Sequence, residues 1–156
     1  MNGMSIRRIM IPVDYSENSK VALAYGAEFA LSFGASLDIV HVWDRPTYLT
    51  DAVMVQRPGE AHKPLGELIR ENAQHDMTEF LGQIQLPSGL STSSRLISGE
   101  PASALLEELK KGEHDLVILS THGRTGFAHL ILGSIAERLV RMSPVPVLTV
   151  PLHGRR

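Results

Sequence analysis

The chain has 156 residues and a mass of 17.1 kDa, the length of one domain, with 43% hydrophobic and 21% charged residues. Fifteen Lys and Arg against seventeen Asp and Glu leave a formal charge of −2, without the basic excess expected of a general nucleic-acid binder. Cysteine is absent, which excludes disulfide scaffolds, zinc-finger sites and thiol catalysis.

The first apolar segment, residues 8–13, is nearly continuous in Ile, Met and Val, as a strand buried on both faces reads. It is too short for a signal peptide, and no stretch approaches the ~20 apolar residues of a membrane span. A cytoplasmic protein forming a single domain over residues 1–156 is therefore expected. Ser16 caps a helix predicted to reach Phe33, with a stripe of Ala22, Gly26, Phe29, Ala30 and Phe33, and Gly34 ends it. Residues 37–42 read as a second strand. The connection over residues 44–63 is long and holds Pro46, Pro58 and Gly59, so a mobile loop is expected there. A second helix runs from about Pro64 to Gln83, and residues 92–97 are a weaker strand. Pro101 suits the first turn of a third helix, which buries Leu105, Leu106 and Leu109 and ends at Lys110-Lys111-Gly112. Residues 115–120 are another buried strand, residues 134–142 a fourth helix, and residues 146–150 a last strand.

Alternating strands and helices imply an α/β fold: a doubly wound five-stranded parallel sheet with helices on both faces. Pro144, Pro146 and Pro151 bracket the last strand and place it at an edge, giving the order 3-2-1-4-5. Strands 1 and 4 then meet at the switch point, beyond whose C-terminal ends ligands bind in such sheets. Two loops become the candidate site, Pro12-Val13-Asp14 and the segment 120–134. The second holds Gly123, Gly126 and Gly133, which permit positive φ and close backbone approach, and Ser134 opens a helix whose N–H groups attract an anion. The 21 residues 116–136 contain no acid but include Arg124, placed here by charge as a phosphate contact. Ser134-x-x-Glu137 also reads as an ordinary capping box. There is no Walker A pattern and no G-x-G-x-x-G after the first strand.

The segments Ile11-Pro12-Val13-Asp14-Tyr15-Ser16, His41-Val42, Gly99-Glu100-Pro101, Ser120-Thr121-His122-Gly123, Leu132-Gly133-Ser134 and Pro144-Val145-Pro146-Val147-Leu148 together resemble the universal stress protein (UspA) family over essentially the whole chain. Nucleotide-binding members carry G-x2-G-x9-G-[ST]. Here Gly123, Gly133 and Ser134 match, while Ser120 stands at the first glycine. The resemblance implies a Rossmann-like, adenine nucleotide alpha hydrolase-like fold and a site for ATP, with Mg2+. Asp14, Pro12 and Val13 would meet adenosine, and Val42 adenine through its backbone. Leu119 and Ser120 would border the ribose, and Gly123, Gly133, Ser134 and Ile135 would meet the phosphates. It also implies a homodimer through residues 146–150, whose Val147, Leu148 and Val150 present an apolar edge, and a stress-response or signalling role with a protein partner.

Several of these residues have plainer roles open to them. Asp14 can cap the first helix, His41 reads as structural, and Arg138 and Arg141 as solvated helix-face charges. Trp43 and Tyr48 could cover the base, and the seven histidines, His122 and His129 among them, show no metal spacing. Two other functions stay open: an interaction module that binds no nucleotide, favoured by Ser120, and a slow ATPase or nucleotide transferase. No paired carboxylates or activating lysine support the latter.

Overall fold

The computed structural model describes residues 5–43, 53–59, 61–122 and 132–151. Its elements are β1 (Arg8–Pro12), α1 (Glu17–Phe33), β2 (Ser36–Trp43), β3 (Met54–Val55), β4 (Lys63–Pro64), α2 (Leu65–Gly82), β5 (Thr92–Ser98), α3 (Pro101–Lys110), β6 (Leu116–Ser120), α4 (Ser134–Met142) and β7 (Val147–Val150). The main sheet has the order β5-β2-β1-β6-β7, and all its pairs are parallel. This is the expected 3-2-1-4-5 sheet. β7 is an edge, as its prolines require.

Side-chain alternation on β1 and β2 divides the core between the two faces of the sheet. Ile9, Ile11, Leu37 and Ile39 pack with Leu23, Met77 and Phe80 from α1 and α2. Met10, Val40, Val117 and Leu119 pack with Leu105, Leu106, Leu109 and Leu139 from α3 and α4. α1 begins at Ser16, whose side chain accepts from the Ser19 N–H, and ends at Gly34 with φ 64°. Its buried residues are Ser19, Ala22, Leu23, Gly26, Ala27 and Ala30. Phe33, expected on this stripe, is instead 50% exposed and stacks on Phe29 at 4.7 Å. The stripe turns away from the sheet by the last turn of α1.

At Gly26, α1 packs tightly against β1. A Cβ there would stand 2.4 Å from the buried Cδ1 of Ile11. Gly26→Val is expected to destabilise the fold by about 2 kcal/mol through overpacking, read as a lower midpoint in urea at unchanged slope.

The connection expected to be a loop over residues 44–63 carries a small antiparallel ribbon. Met54 pairs with Pro64 and Val55 with Lys63, and Leu65 N–H donates to Val53 O at 2.8 Å. That corrects the reading of the whole segment as loop. Residues 44–52 and 60, Tyr48 included, lie outside the described residues.

Charged groups are buried at the N-terminal end of the sheet. Asp38 on β2 is fully buried. It accepts from Arg95 at 2.6 and 3.0 Å, from His114 Nε2 at 2.7 Å and from Ser93 at 3.0 Å, with Arg8 at 3.4 Å. Arg95 also pairs with Glu108 at 2.7 Å, and Glu108 with Lys111 at 2.6 Å. None of the motifs singled out in the sequence accounts for this cluster.

Candidate functional site

The site opens at the opposite end of the sheet, where strand pairing stops early. β1 pairs with β6 over only Ile9↔Leu116 and Met10↔Val117. Where β6 needs its next donor from β1, the chain offers Pro12, which has no N–H. Asp14 N–H, one step further along, donates to Ser19 Oγ at 3.0 Å. Strands β1 and β6 therefore separate at their C-terminal ends.

The alternation of parallel ladders decides what faces this gap. Val40 O accepts from Val13 N–H at 2.9 Å, and Trp43 O accepts from Gly99 N–H at 3.3 Å. Val40 thus faces β1 and Trp43 faces β5, so the N–H and C=O of Val42 face the side of β1. The β1–β2 register ends at Pro12↔Val40, with no β1 residue opposite Val42. Likewise Thr121 N–H donates to Val150 O at 3.0 Å, which turns the peptide groups of Ser120 toward the gap.

A cavity of about 280 Å³ fills the gap. Pro12, Val13 and Asp14 line it from the β1 turn, Val42 from β2, Leu119 and Ser120 from β6, and Gly133, Ser134 and Ile135 from the start of α4. Nine of the residues singled out in the sequence are thus brought around one space. The other two, Gly123 and Arg124, lie outside the described residues, as does His129. The sequence reading missed Ser19, Val40, Pro101, Leu105 and Ala136 as lining residues, did not single out Thr121 within its 120–134 segment, and read His41 as structural rather than catalytic. Pro101 and Leu105 had a usable signal. The Gly99-Glu100-Pro101 turn brings α3 back over the end of β5, and Leu105 lies one turn into its apolar face. Gly99 takes φ 141° there, in the region open to glycine.

Three helices start around this cavity, and their first turns differ. At α1, Asp14 Oδ1 accepts from Ser16 N–H at 3.1 Å and from the hydroxyls of Ser16 and Ser19, both at 2.5 Å. Asp14 therefore does organise the β1–α1 turn. At α3, Glu100 accepts from the N–H groups of Ala102 at 3.2 Å and Ser103 at 2.9 Å. At α4 the N-cap is Gly133, with φ −70°, ψ 156° and no side-chain cap. Ser134 is the first helical residue, not the cap, and Glu137 pairs with Arg141. That overturns the capping-box reading, and Gly133 does not use the positive φ expected of it. The helix reaches the cavity with first-turn donors that no side chain satisfies, at its positive dipole end.

The neck of the glycine loop is closed by Gly133 N–H donating to Thr121 O at 2.6 Å. Ser120 Oγ–H donates to His122 O at 2.8 Å, so the serine at the motif's first glycine tightens the turn. Thr121 Oγ1 lies 3.0 Å from His122 Nδ1. On the other wall, His41 Nδ1 lies 2.8 Å from Val13 O, a structural contact, although the residue also lines the cavity. Arg138 bonds to Glu100 and Ser103, both at 2.9 Å, and Arg141 to Glu137, so these cations engage helix-face partners. Among the described residues no cluster of three or more His, Asp or Glu could hold a metal, and no helix is long and apolar enough to cross a membrane.

A doubly wound parallel sheet with a cavity at its switch point and an uncapped helix N-terminus defines a Rossmann-like α/β protein with a candidate ligand site. The Universal stress protein family model matches residues 5–151, and the chain belongs to that family. It is 29% identical over 151 residues to the universal stress protein MJ0531 of Methanocaldococcus jannaschii, covering 96% of this chain and 85% of that one. The fold is similar to the solved structure of the hypothetical protein MJ0577, with a TM-score of 0.72 at 20% identity over 97% and 99% of the two chains. It is also similar to a universal stress protein in complex with cAMP, with a TM-score of 0.60 at 21% identity over 94% and 97%.

Proposed function

We propose that the chain binds an adenine nucleotide, ATP with Mg2+, in the switch-point cavity, and works as a single-domain cytoplasmic stress-response protein whose occupancy a protein partner reads. The observation that carries this is the pairing of two unsatisfied backbone surfaces across one cavity. Val42 presents a donor and an acceptor at one side, the pattern an adenine edge complements. The first turn of α4 presents donors and a positive dipole end at the other, where phosphates would sit. A nucleotide complex of a protein with the same fold supports the choice of ligand class.

In this reading Asp14 meets the ribose, since a carboxylate beside phosphates would repel them. Leu119, Leu105 and Pro101 supply the apolar walls. Gly133, Ser134 and Ile135 meet the phosphates, with Gly123 and Arg124 from the loop. Among the described residues Asp14 is the one carboxylate lining the cavity. The cation would then arrive on the phosphates rather than wait in a protein cage.

Calorimetry with Mg-ATP is expected to show saturable binding that Gly133→Val abolishes, because the valine adds bulk at a residue that lines the cavity, on a backbone of φ −70° that tolerates it. No binding by folded protein at millimolar Mg-ATP overturns the reading.

We also infer a homodimer through β7. Among the described residues nothing pairs with its outer edge, and Leu148, Val140 and Met142 are 37%, 53% and 57% exposed. Light scattering at micromolar concentration is expected to give twice the chain mass, and Leu148→Arg to give the monomer. A monomeric wild type overturns it.

A further inference from the structure

Tyr15 is the only non-glycine residue with positive φ among the described residues, at 65°. An aromatic residue holds that conformation only where its surroundings over-determine it. Here the ring stacks on His41 at 4.0 Å and 25°, and meets Phe80 of α2 at 5.4 Å. Its hydroxyl donates to Ala73 O, also on α2, at 3.2 Å. α2 is 18 residues long but buries only Ala73, Met77 and Phe80. Tyr15 thus touches two of the three residues that anchor it.

The other end of the stack is in the cavity wall. His41 lines the cavity, and because Val13 O can only accept, Nδ1 carries the hydrogen and donates. Val13 N–H is committed to Val40 O at 2.9 Å. Both peptide groups of Val13 are therefore held within the protein, and Val13–Asp14 cannot shift without moving His41 and Tyr15. Tyr15 cannot shift without moving the anchorage of α2.

We propose that Tyr15 and His41 are positioning residues that couple occupancy of the cavity to the seating of α2. The proposal rests on the reading that the cavity takes a nucleotide. A ligand that fixes Val13 and Asp14 tightens α2, and by linkage a loosened α2 weakens the ligand. α2, lightly anchored and largely exposed, is then the surface on which occupancy shows.

Hydrogen exchange across residues 65–82, with and without saturating Mg-ATP, tests this on the full chain. In the wild type Mg-ATP is expected to slow exchange of α2 several-fold. Tyr15→Phe keeps the ring and loses the Ala73 bond. Without ligand its α2 should exchange several-fold faster, and with Mg-ATP the slowing should be largely lost, while affinity falls only about threefold. His41→Phe keeps the stack but loses the donor to Val13, and affinity should fall about tenfold. His41→Asn, whose amide can reach Val13 O, should recover part of that loss. A residue that merely filled space would show no such rescue. Mg-ATP binding with unchanged α2 exchange, or a Tyr15→Phe protein that responds as the wild type does, overturns the coupling. A wild type that binds no nucleotide overturns the reading beneath it. In that case a ligand-free Tyr15→Phe α2 exchanging at the wild-type rate overturns the Tyr15–α2 link as well.

Discussion

Ser134→Pro is expected to weaken Mg-ATP binding by roughly 30-fold while leaving the melting temperature unchanged. Ser134 is the first residue of α4, the helix position proline tolerates best, because its N–H has no intrahelical partner. Gly133 before it already holds φ −70° and ψ 156°, the extended conformation that a residue preceding proline prefers. The substitution therefore removes a hydroxyl and an N–H with little cost to the fold. A hydrogen bond to a charged group is worth about 1.5–3 kcal/mol, which sets the size of the loss. Ser134→Ala separates the two groups, since it keeps the N–H. Calorimetry and thermal melts on both proteins check this, and full affinity in Ser134→Pro would remove the α4 terminus from the phosphate site.

Asp38→Ala is expected to give the largest loss of stability, about 3 kcal/mol or more, because it strands Arg95 and His114 beside a hole where their shared acceptor stood. For a domain of this length that lowers the melting temperature by roughly 6–12 °C. The same carboxylate makes stability pH-dependent. Burial tends to raise the Asp38 pKa, but the hydrogen bonds from His114 and Arg95 and the Arg95 charge outweigh it and hold the group well below the usual carboxylate range. Burial likewise tends to raise the Glu108 pKa, and Lys111 and Arg95 outweigh it. A lowered pKa in the folded state means stability fully present above the unfolded value of about 3.9 and lost as pH falls below it. The difference in melting temperature between wild type and Asp38→Ala should hold at neutral pH and shrink below about pH 4. A difference that stays constant down to pH 2 would count against the cluster as its source.

Much of this architecture was legible in the chain because buried parallel strands write themselves as unbroken apolar runs. Ile9-Met10-Ile11 and Leu116-Val117-Ile118-Leu119 have no polar face to confuse their reading, and prolines on either side of Val147–Val150 assign the edge. The ribbon of Met54–Val55 and Lys63–Pro64 was not legible, since two-residue strands leave no period. The Asp38 cluster was hidden for a different reason. In Leu37-Asp38-Ile39 an acid between apolar residues reads as an outward position, and its partners Arg95 and His114 stand 57 and 76 residues away. At the site, Gly133 and the two strand ends could be read because chain order brings them to one switch point. The Gly99-Glu100-Pro101 turn could have placed the start of α3 near that end, but which of its side chains overhang the cavity depends on how the helix crosses the sheet, so Pro101 and Leu105 went unnamed.

The bond from Gly133 to Thr121 has a consequence for how such a site can vary. It pins the two ends of the glycine loop to each other, so closure is met at the neck and the sheet and α4 are already joined. Adding or removing residues between them is then expected to change closure entropy only slowly. If the cavity takes a nucleotide as proposed, the end at Thr121 and Gly133 is an interchangeable fitting on a fixed frame. A change in the length and charge of the segment between them is then expected to change the preference among mono-, cyclic and triphosphates, while Val42 stays where the strands put it.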